Sequence, residues 1–202
     1  MRIEQFLQEE VLGSDHPDTL TSMGNLASTY WNQGRWEEAE KLEVQVMETR
    51  KTKLGADHPD TLTSMDNLAL TYGNQGQWEE AETLQVQVME TSKTKLGADH
   101  PHTLTSIGNL AATYVYQGRW EEAETLSVQV IETLKTKLGA DHPHTLISMA
   151  NLAFIWKGIG RYEDALGLLQ TCFDLRQQVL GVGHPDTAST LSTLKAWLEE
   201  NE

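Results

Sequence analysis

Apolar residues recur at helical spacing through most of this chain, and residues 57–97 show the pattern once in full. Its first half has apolar side chains three or four positions apart, the spacing of one buried helix face: Leu62, Met65, Leu68, Ala69 and Tyr72. We call this predicted helix A. A second helix, helix B, is predicted from Trp78 to about Leu96, and its buried stripe comprises Ala81, Leu84, Val88 and Met89.

Short polar segments mark where the two helices begin and end. We expect Asp57 to cap free backbone N–H groups at the start of helix A, where Pro59 tolerates the first turn. Gly76 suits the left-handed conformation that ends helix A. Neither helix is apolar all round, so one hairpin cannot bury its own stripe and neighbouring hairpins must stack.

The whole pattern repeats every 42 residues along the chain. The dipeptide His-Pro recurs in this register, beginning at His16, His58, His100, His142 and His184. A period of this length predicts a stack of one supersecondary unit. We therefore expect 1–202 to form a single all-α solenoid domain, with a partial helix B at 1–13, repeats at 14–55, 56–97, 98–139 and 140–181, and a capping helix at 182–202. We also expect the chain to be part of a longer protein.

The residues that recur in each unit resemble a known repeat motif. Asn25-Leu26-Ala27, Tyr30, Gly34, Trp36 and Ala39 follow the order of the tetratricopeptide repeat, and the match recurs over nearly the whole chain. The 42-residue length and the Asp-His-Pro segment look like the kinesin light chain subclass. The near-identical copies look most like the repeat arrays of fungal NOD-like receptor ATPases, in which the repeats are the sensing module.

That resemblance implies a right-handed α-α superhelix that binds a peptide or protein in a concave groove lined by helix A. Two features depart from the family. The usual aromatic residue midway along helix B is replaced by Glu43, Gln85, Ser127 and Leu169. Kinesin light chains that bind acidic peptides resemble one another in having basic groove residues, which are almost absent here, so that ligand class is not carried over.

Differences between the copies in helix A fall on one helix face. The variable sets are Gly24/Asp66/Gly108/Ala150, Ser28/Leu70/Ala112/Phe154, Trp31/Gly73/Val115/Lys157 and Asn32/Asn74/Tyr116/Gly158. By the resemblance this face points into the groove. The glutamates of helix B scarcely vary, which favours recognition over drift at exposed positions. Helix B has two variable sets of its own, Glu43/Gln85/Ser127/Leu169 and Arg50/Ser92/Leu134/Arg176.

A ladder of asparagines adjoins this variable face. Its members are Asn25, Asn67, Asn109 and Asn151. In the family, an amide at this place can clamp the backbone of a ligand, because it both donates and accepts hydrogen bonds. The alternative is a hydrogen bond to the adjacent helix within the solenoid. Two functions also stay open for the nearby Met23, Met65, Ile107 and Met149: an adaptable groove floor or the core.

The charge and composition of the chain exclude some classes of binding partner. The formal net charge is −15, with 30 acidic and 15 basic residues, which argues against binding nucleic acid or anionic membranes. The one cysteine, Cys172, shares its register with Val46, Val88 and Val130 and is expected to be a buried thiol. A lone cysteine fits a reducing compartment, and the chain has neither a long apolar run nor a signal-like start. We expect a cytoplasmic protein.

Catalysis and metal binding find little support. Each histidine of the His-Pro motif opens a different helix, and packed helices lie about 8–10 Å apart, too far to share a zinc ion. A turn-capping role is expected for them instead. No phosphate-binding loop is present, and no cofactor or metal is predicted. We expect a non-enzymatic protein-binding module; the alternative is a structural element that forms homo-oligomers through its repeat ends.

Overall fold

The computed structural model describes residues 12–200, a stretch that contains nine helices from Pro17 to Glu199 and no strand. They are α1 (Pro17–Asn32), α2 (Trp36–Leu54), α3 (Pro59–Asn74), α4 (Trp78–Leu96), α5 (Pro101–Tyr116), α6 (Trp120–Leu138), α7 (Pro143–Gly158), α8 (Tyr162–Leu180) and α9 (Pro185–Glu199). Odd-numbered helices are helix A of their repeat and even-numbered helices are helix B. The predicted all-α hairpins are confirmed, while the partial helix predicted at 1–13 lies almost wholly outside the described residues.

Each helix A begins with a histidine cap. The His58 Nδ1 atom accepts a hydrogen bond from the Asp60 backbone N–H at 3.2 Å, and the other His-Pro sites repeat this geometry. The expected cap, Asp57, is wrong. Its carboxylate instead lies 2.6 Å from the Lys95 Nζ atom at the end of helix B. An imidazole can accept this bond because one of its nitrogens is unprotonated in the neutral ring.

The turn between the two helices of a hairpin depends on glycine. Gly76 has a φ of +77°, a left-handed conformation in which a side chain would be strained. The Gln77 backbone N–H donates to the Tyr72 carbonyl at 2.9 Å and closes the turn. The short connection forces α4 back along α3, so the apolar stripes of the two helices face each other.

The chain divides into two compact units, and the division falls between Ser106 and Ile107, inside α5. In unit 1, the buried core comprises Leu20, Met23, Val46, Met47, Leu62, Met65, Leu68 and Val88. In unit 2, it includes Ile131, Leu146, Met149, Leu152, Cys172, Leu194 and Trp197. Each core is built where the stripes of successive helices meet.

The sequence left open whether one set of residues belongs to the core, and it predicted that the cysteine does. The residues Met23, Met65, Ile107 and Met149 are each at most 2% exposed, so the idea that they form a groove floor is wrong and they belong to the core. Cys172 is fully buried, and its thiol donates to the Leu146 carbonyl at 3.2 Å. Burial raises the pKa of this thiol, which confirms the prediction of an inert core cysteine.

The variable residue near the end of helix B contacts the start of the next helix A. Arg50 donates to the Ser64 hydroxyl at 2.9 Å, and Arg176 donates to the Thr190 hydroxyl at 2.7 Å. Ser92, at the same place, lies 3.0 Å from the Nδ1 atom of His102. The fourth residue of the set, Leu134, is buried. We call these residues and their contacts the repeat junctions.

Candidate functional site

The predicted binding residues lie on the exposed face of the odd-numbered helices. Most are exposed: Asn25, Ser28, Trp31, Asn32, Asn67, Leu70, Asn74, Ala112, Tyr116, Asn151 and Phe154. Asn109 and Val115 are half-buried. Four large apolar side chains stand out on this face, because Trp31, Leu70, Tyr116 and Phe154 are each at least 36% exposed. Exposed aromatic and apolar residues on one face are typical of an interaction surface.

In unit 2 the structure brings several of these residues together around a cavity of about 310 Å³. We call this cavity the socket. It lies between α5 and α7, with α6 beneath it. Its lining comprises Gly108, Ala111, Ala112, Val115, Tyr116, Ser127, Val130, Ser148, Asn151, Phe154 and Ile155. Most of these side chains are apolar, and none is ionisable at neutral pH, so the socket suits an uncharged apolar group.

Small residues create the socket. A side chain at Gly108 would meet no atom within 4 Å, so the glycine leaves open space. Ala112 stands where other repeats have Ser28, Leu70 and Phe154, and Ser127 stands where they have Glu43, Gln85 and Leu169. The rim is also held in place, because the Phe154 ring packs edge-on against the buried Trp197 with ring centroids 5.1 Å apart.

Several lining residues were missed by the sequence prediction. Ser127 and Val130 come from α6, a helix B, whereas only helix A was expected to line the groove. Ala111, Ser148 and Ile155 were also missed. A signal for Ser127 existed, since its position varies among the four repeats and departs from the family pattern. We call the set Glu43, Gln85, Ser127 and Leu169 the floor residues.

The floor residue of unit 1 is chemically unlike Ser127. Glu43 is only 7% exposed, and its Oε2 atom is buried without a hydrogen-bond partner in the described part of the chain. Burial raises the pKa of this carboxyl, the nearby Thr71 hydroxyl opposes that rise, and the charge of Glu40 adds to it. Gln85 is similarly buried, and its Oε1 atom also has no partner among those residues.

The asparagine ladder is available for binding. No hydrogen bond within residues 12–200 involves the side-chain amide of Asn25, Asn67, Asn109 or Asn151, so the alternative bond to an adjacent helix does not form there. Asn32 and Asn74 differ, because their Nδ2 atoms donate to the Ser28 and Leu70 carbonyls at 2.8 Å. These two amides therefore complete the end of their own helix.

One cluster has the residue types of a hydrolase site. His102 lies 3.0 Å from the Ser92 hydroxyl through Nδ1 and 3.5 Å from the Asp66 carboxylate through Nε2. Ser92 is fully buried, so its hydroxyl cannot reach a substrate. No group of three or more His, Cys, Asp or Glu residues between 12 and 200 is placed to hold a metal ion.

None of the helices in the described residues is both long and apolar enough to cross a bilayer.

No curated protein matches this chain in sequence. Residues 60–136, together with 19–60 and 145–186, match the tetratricopeptide repeat family.

Solved structures extend that match. Two crystal structures from Podosopora anserina, described as a kinesin light chain with nearly identical TPR-like repeats, are each 31% identical over 92% of this chain and 88% of theirs, with TM-scores of 0.81 and 0.80. BtubC (BKLC) from P. vanneervenii shares the fold, with a TM-score of 0.74 and 18% identity over 84% of this chain and 68% of its own. The repeated hairpins and these matches together show that the chain belongs to the tetratricopeptide repeat family, in its kinesin light chain-like form.

Proposed function

We propose that this repeat array binds an extended segment of a partner protein along the exposed face of its A helices. We further propose that the socket of unit 2 receives an apolar side chain of that segment. Repeat arrays of this family act as protein-interaction scaffolds. The observation that carries the proposal is the socket itself, because it is an open apolar cavity of about 310 Å³ among the residues that vary between repeats.

The surroundings of the socket supply the other half of a peptide site. Asn151 lines the cavity and Asn109 lies one residue after Gly108. Their amides can both donate to and accept from a peptide backbone. Contacts in the socket would then select an apolar side chain. The amides would bind the peptide backbone and hold the bound segment extended, whatever its sequence.

The test is capture of immobilised hexapeptides that carry norleucine, leucine or alanine at one position in otherwise random sequence. We expect the 202-residue chain to retain the norleucine and leucine sets over the alanine set by at least about tenfold, since these side chains have three more carbons than alanine and each buried methylene contributes about 0.8 kcal/mol. Ser127→Leu should abolish this preference by filling the socket. Leu169 occupies the same place natively, so the variant should fold.

A matched control adds the same side chain outside the socket. Thr125 is exposed on the same helix, and Thr125→Leu should leave peptide capture unchanged. Asn109→Ala combined with Asn151→Ala should weaken capture of every peptide set without changing the preference for apolar side chains. Equal capture of the alanine and norleucine sets by the unaltered chain would contradict the proposed function.

We also propose that the array is the sensing module of a larger cytoplasmic receptor of the fungal NOD-like type. Support comes from the near-identity of its repeats, a property that the Podosopora anserina chain shares. An antibody raised against this chain should detect, in cytosolic fractions of the source cells, a polypeptide much longer than 202 residues that cross-links ATP. A polypeptide of only this length would contradict the proposal.

A further inference from the structure

The floor of unit 1 holds a carboxylate that packing does not require. Glu43 lies on α2 at the place that Ser127 occupies on α6. The other repeats fill this place with Gln85, Ser127 and Leu169, all at most 8% exposed. Neutral and apolar residues are therefore also accommodated here, whereas a buried carboxylate without a cation destabilises a fold. The charge of Glu43 needs another explanation.

The environment of Glu43 leaves hydrogen-bonding capacity unused. Its Oε2 atom is buried and has no hydrogen-bond partner of normal geometry among residues 12–200, and the only polar neighbour that opposes the rise in its pKa is the Thr71 hydroxyl on α3. No lysine or arginine in that range forms an ion pair with Glu43, and the nearby charge is that of Glu40, which is also negative. Arg50, on the same helix, is engaged at the repeat junction with Ser64 and the Asp60 carbonyl.

We call the surface above Glu43, between α1 and α3, the cleft; it corresponds in repeat register to the socket of unit 2. A side chain at Gly24 would meet no atom within 4 Å, and Ser28 beside it is exposed. Across the cleft, α3 presents the exposed Asn67 and Leu70. These residues match, in register, the ones that line the socket in unit 2.

We propose that the cleft between α1 and α3 binds a cationic side chain, an arginine guanidinium or a lysine ammonium, from an extended segment of a partner protein, with the Glu43 carboxylate as its counter-ion. The inference rests on the proposed function, because it uses the same face of helix A. A guanidinium has five N–H donors and no acceptor, so it can pair with the carboxylate of Glu43, which has no cation within the described residues. The net charge of −15 would steer basic segments toward the chain.

The test compares immobilised hexapeptides with arginine, lysine, citrulline or norleucine at one position, captured by the full 202-residue chain. Citrulline has nearly the shape of arginine but no charge. We expect the unaltered chain to retain arginine peptides about tenfold more than citrulline peptides, in the range measured for close interfacial charge pairs. This comparison needs no variant and so does not depend on refolding.

Glu43→Gln should remove the difference between arginine and citrulline. Glutamine is the native floor residue at position 85, so the variant should fold, which a circular dichroism melt would verify. The matched control is Glu48→Gln, since Glu48 is exposed on the same helix and its replacement changes the net charge equally. It should leave arginine capture unchanged.

The outcomes separate this inference from the proposed function. Arginine capture that Glu43→Gln leaves intact, or that Glu48→Gln lowers equally, would overturn the inference, because net charge alone would then be responsible. A norleucine preference that Ser127→Leu abolishes, without any arginine preference, would also overturn it while leaving the proposed function standing. Failure of the unaltered chain to capture any hexapeptide would overturn both.

Discussion

The two units are built from hairpins of the same length with nearly the same core, yet their grooves have different floors. In unit 1 the floor is Glu43, a buried carboxylate, and in unit 2 it is Ser127, beneath an open apolar socket. The difference arises on helix B, not on the exposed face where recognition was expected. A repeat can therefore change the chemistry of its groove at one buried position while the residues that hold helix to helix stay the same.

Exchanging the two floors should give the largest effect. Ser127→Glu places a carboxylate among Ala111, Val130 and Ile155, where no cation faces it. We expect a loss of about 2–3 kcal/mol in the free energy of unfolding at pH 7, because a buried charge is desolvated without compensation. Urea denaturation measures this loss. The reverse exchange, Glu43→Ser, should not be destabilising, and an unchanged urea midpoint for Ser127→Glu would show that the socket is well hydrated.

The next effect concerns the charge of Glu43 itself. The folded-state pKa of Glu43 is raised, so ionisation costs stability as the pH rises through that value. Glu43→Gln should therefore be about 1 kcal/mol more stable than the parent at pH 7. The gain should fade as the pH falls through the raised folded-state pKa and should be absent below pH 4.5, the ordinary value for a glutamate. Urea midpoints at pH 7 and pH 4 measure it, with exposed Glu48→Gln as control; a constant gain across this range would contradict the argument.

A smaller effect is expected from the histidines at the repeat junctions. Burial, and then the charge of His100, lower the pKa of His102, so stability should be full above the ordinary value of 6.5 and should fall as the pH drops. His102→Asn should remove about 0.5 kcal/mol of that loss between pH 7.5 and 5.5. His144→Asn is the matched control, because His144 is exposed and its junction has Leu134 in place of Ser92. A parent chain that gains stability on acidification would instead indicate control by Asp66, 3.5 Å from His102.

The smallest effect should come from an exposed difference between repeats. Arg119 lies 3.9 Å from the Tyr114 ring centroid and pairs with Glu122, and Arg35 makes the same contacts with Tyr30 and Glu38, whereas the second repeat has Gln77 at this place. Gln77→Arg should add at most about 0.5 kcal/mol, since exposed ion pairs and cation–π contacts contribute little. Thermal melts at low and high salt measure this gain, which salt should reduce. A larger, salt-independent gain would mean that the exposed turn controls stability as much as the floor does.

The helical plan could be predicted from sequence because its causes are local. Apolar spacing predicted helix B from Trp78 to about Leu96, and the helix has those bounds. Gly76 was expected to be left-handed, and it is. The capping role predicted for the histidines is confirmed. The cap predicted at Asp57 was wrong: its carboxylate pairs instead with Lys95, which is distant in sequence but 2.6 Å away in the fold.

The candidate site was harder to predict, because a cavity depends on how far the side chains of several helices reach into the same space. Variation among repeats predicted which residues of helix A face outward, including Ala112 and Phe154. It did not show that Ser127 lies beneath them, since a cavity forms only where Gly108, Ala112 and Ser127 are small at the same point in space. Periodicity gives the direction of a side chain on its own helix, but the space between three helices depends on all of their side chains together.

The repeat junctions have a consequence for how such an array can grow or shrink by recombination. A crossover that removes one whole repeat brings the buried residue of one helix B against the start of a helix A that it did not contact before. Deleting 98–139 would place Ser92 beside His144, a histidine like its present neighbour, whereas deleting 140–181 would place the apolar Leu134 against Thr190, whose hydroxyl Arg176 now contacts. Near-identical repeats are therefore not freely interchangeable, and gene rearrangements should retain preferentially those copies whose junction residues match.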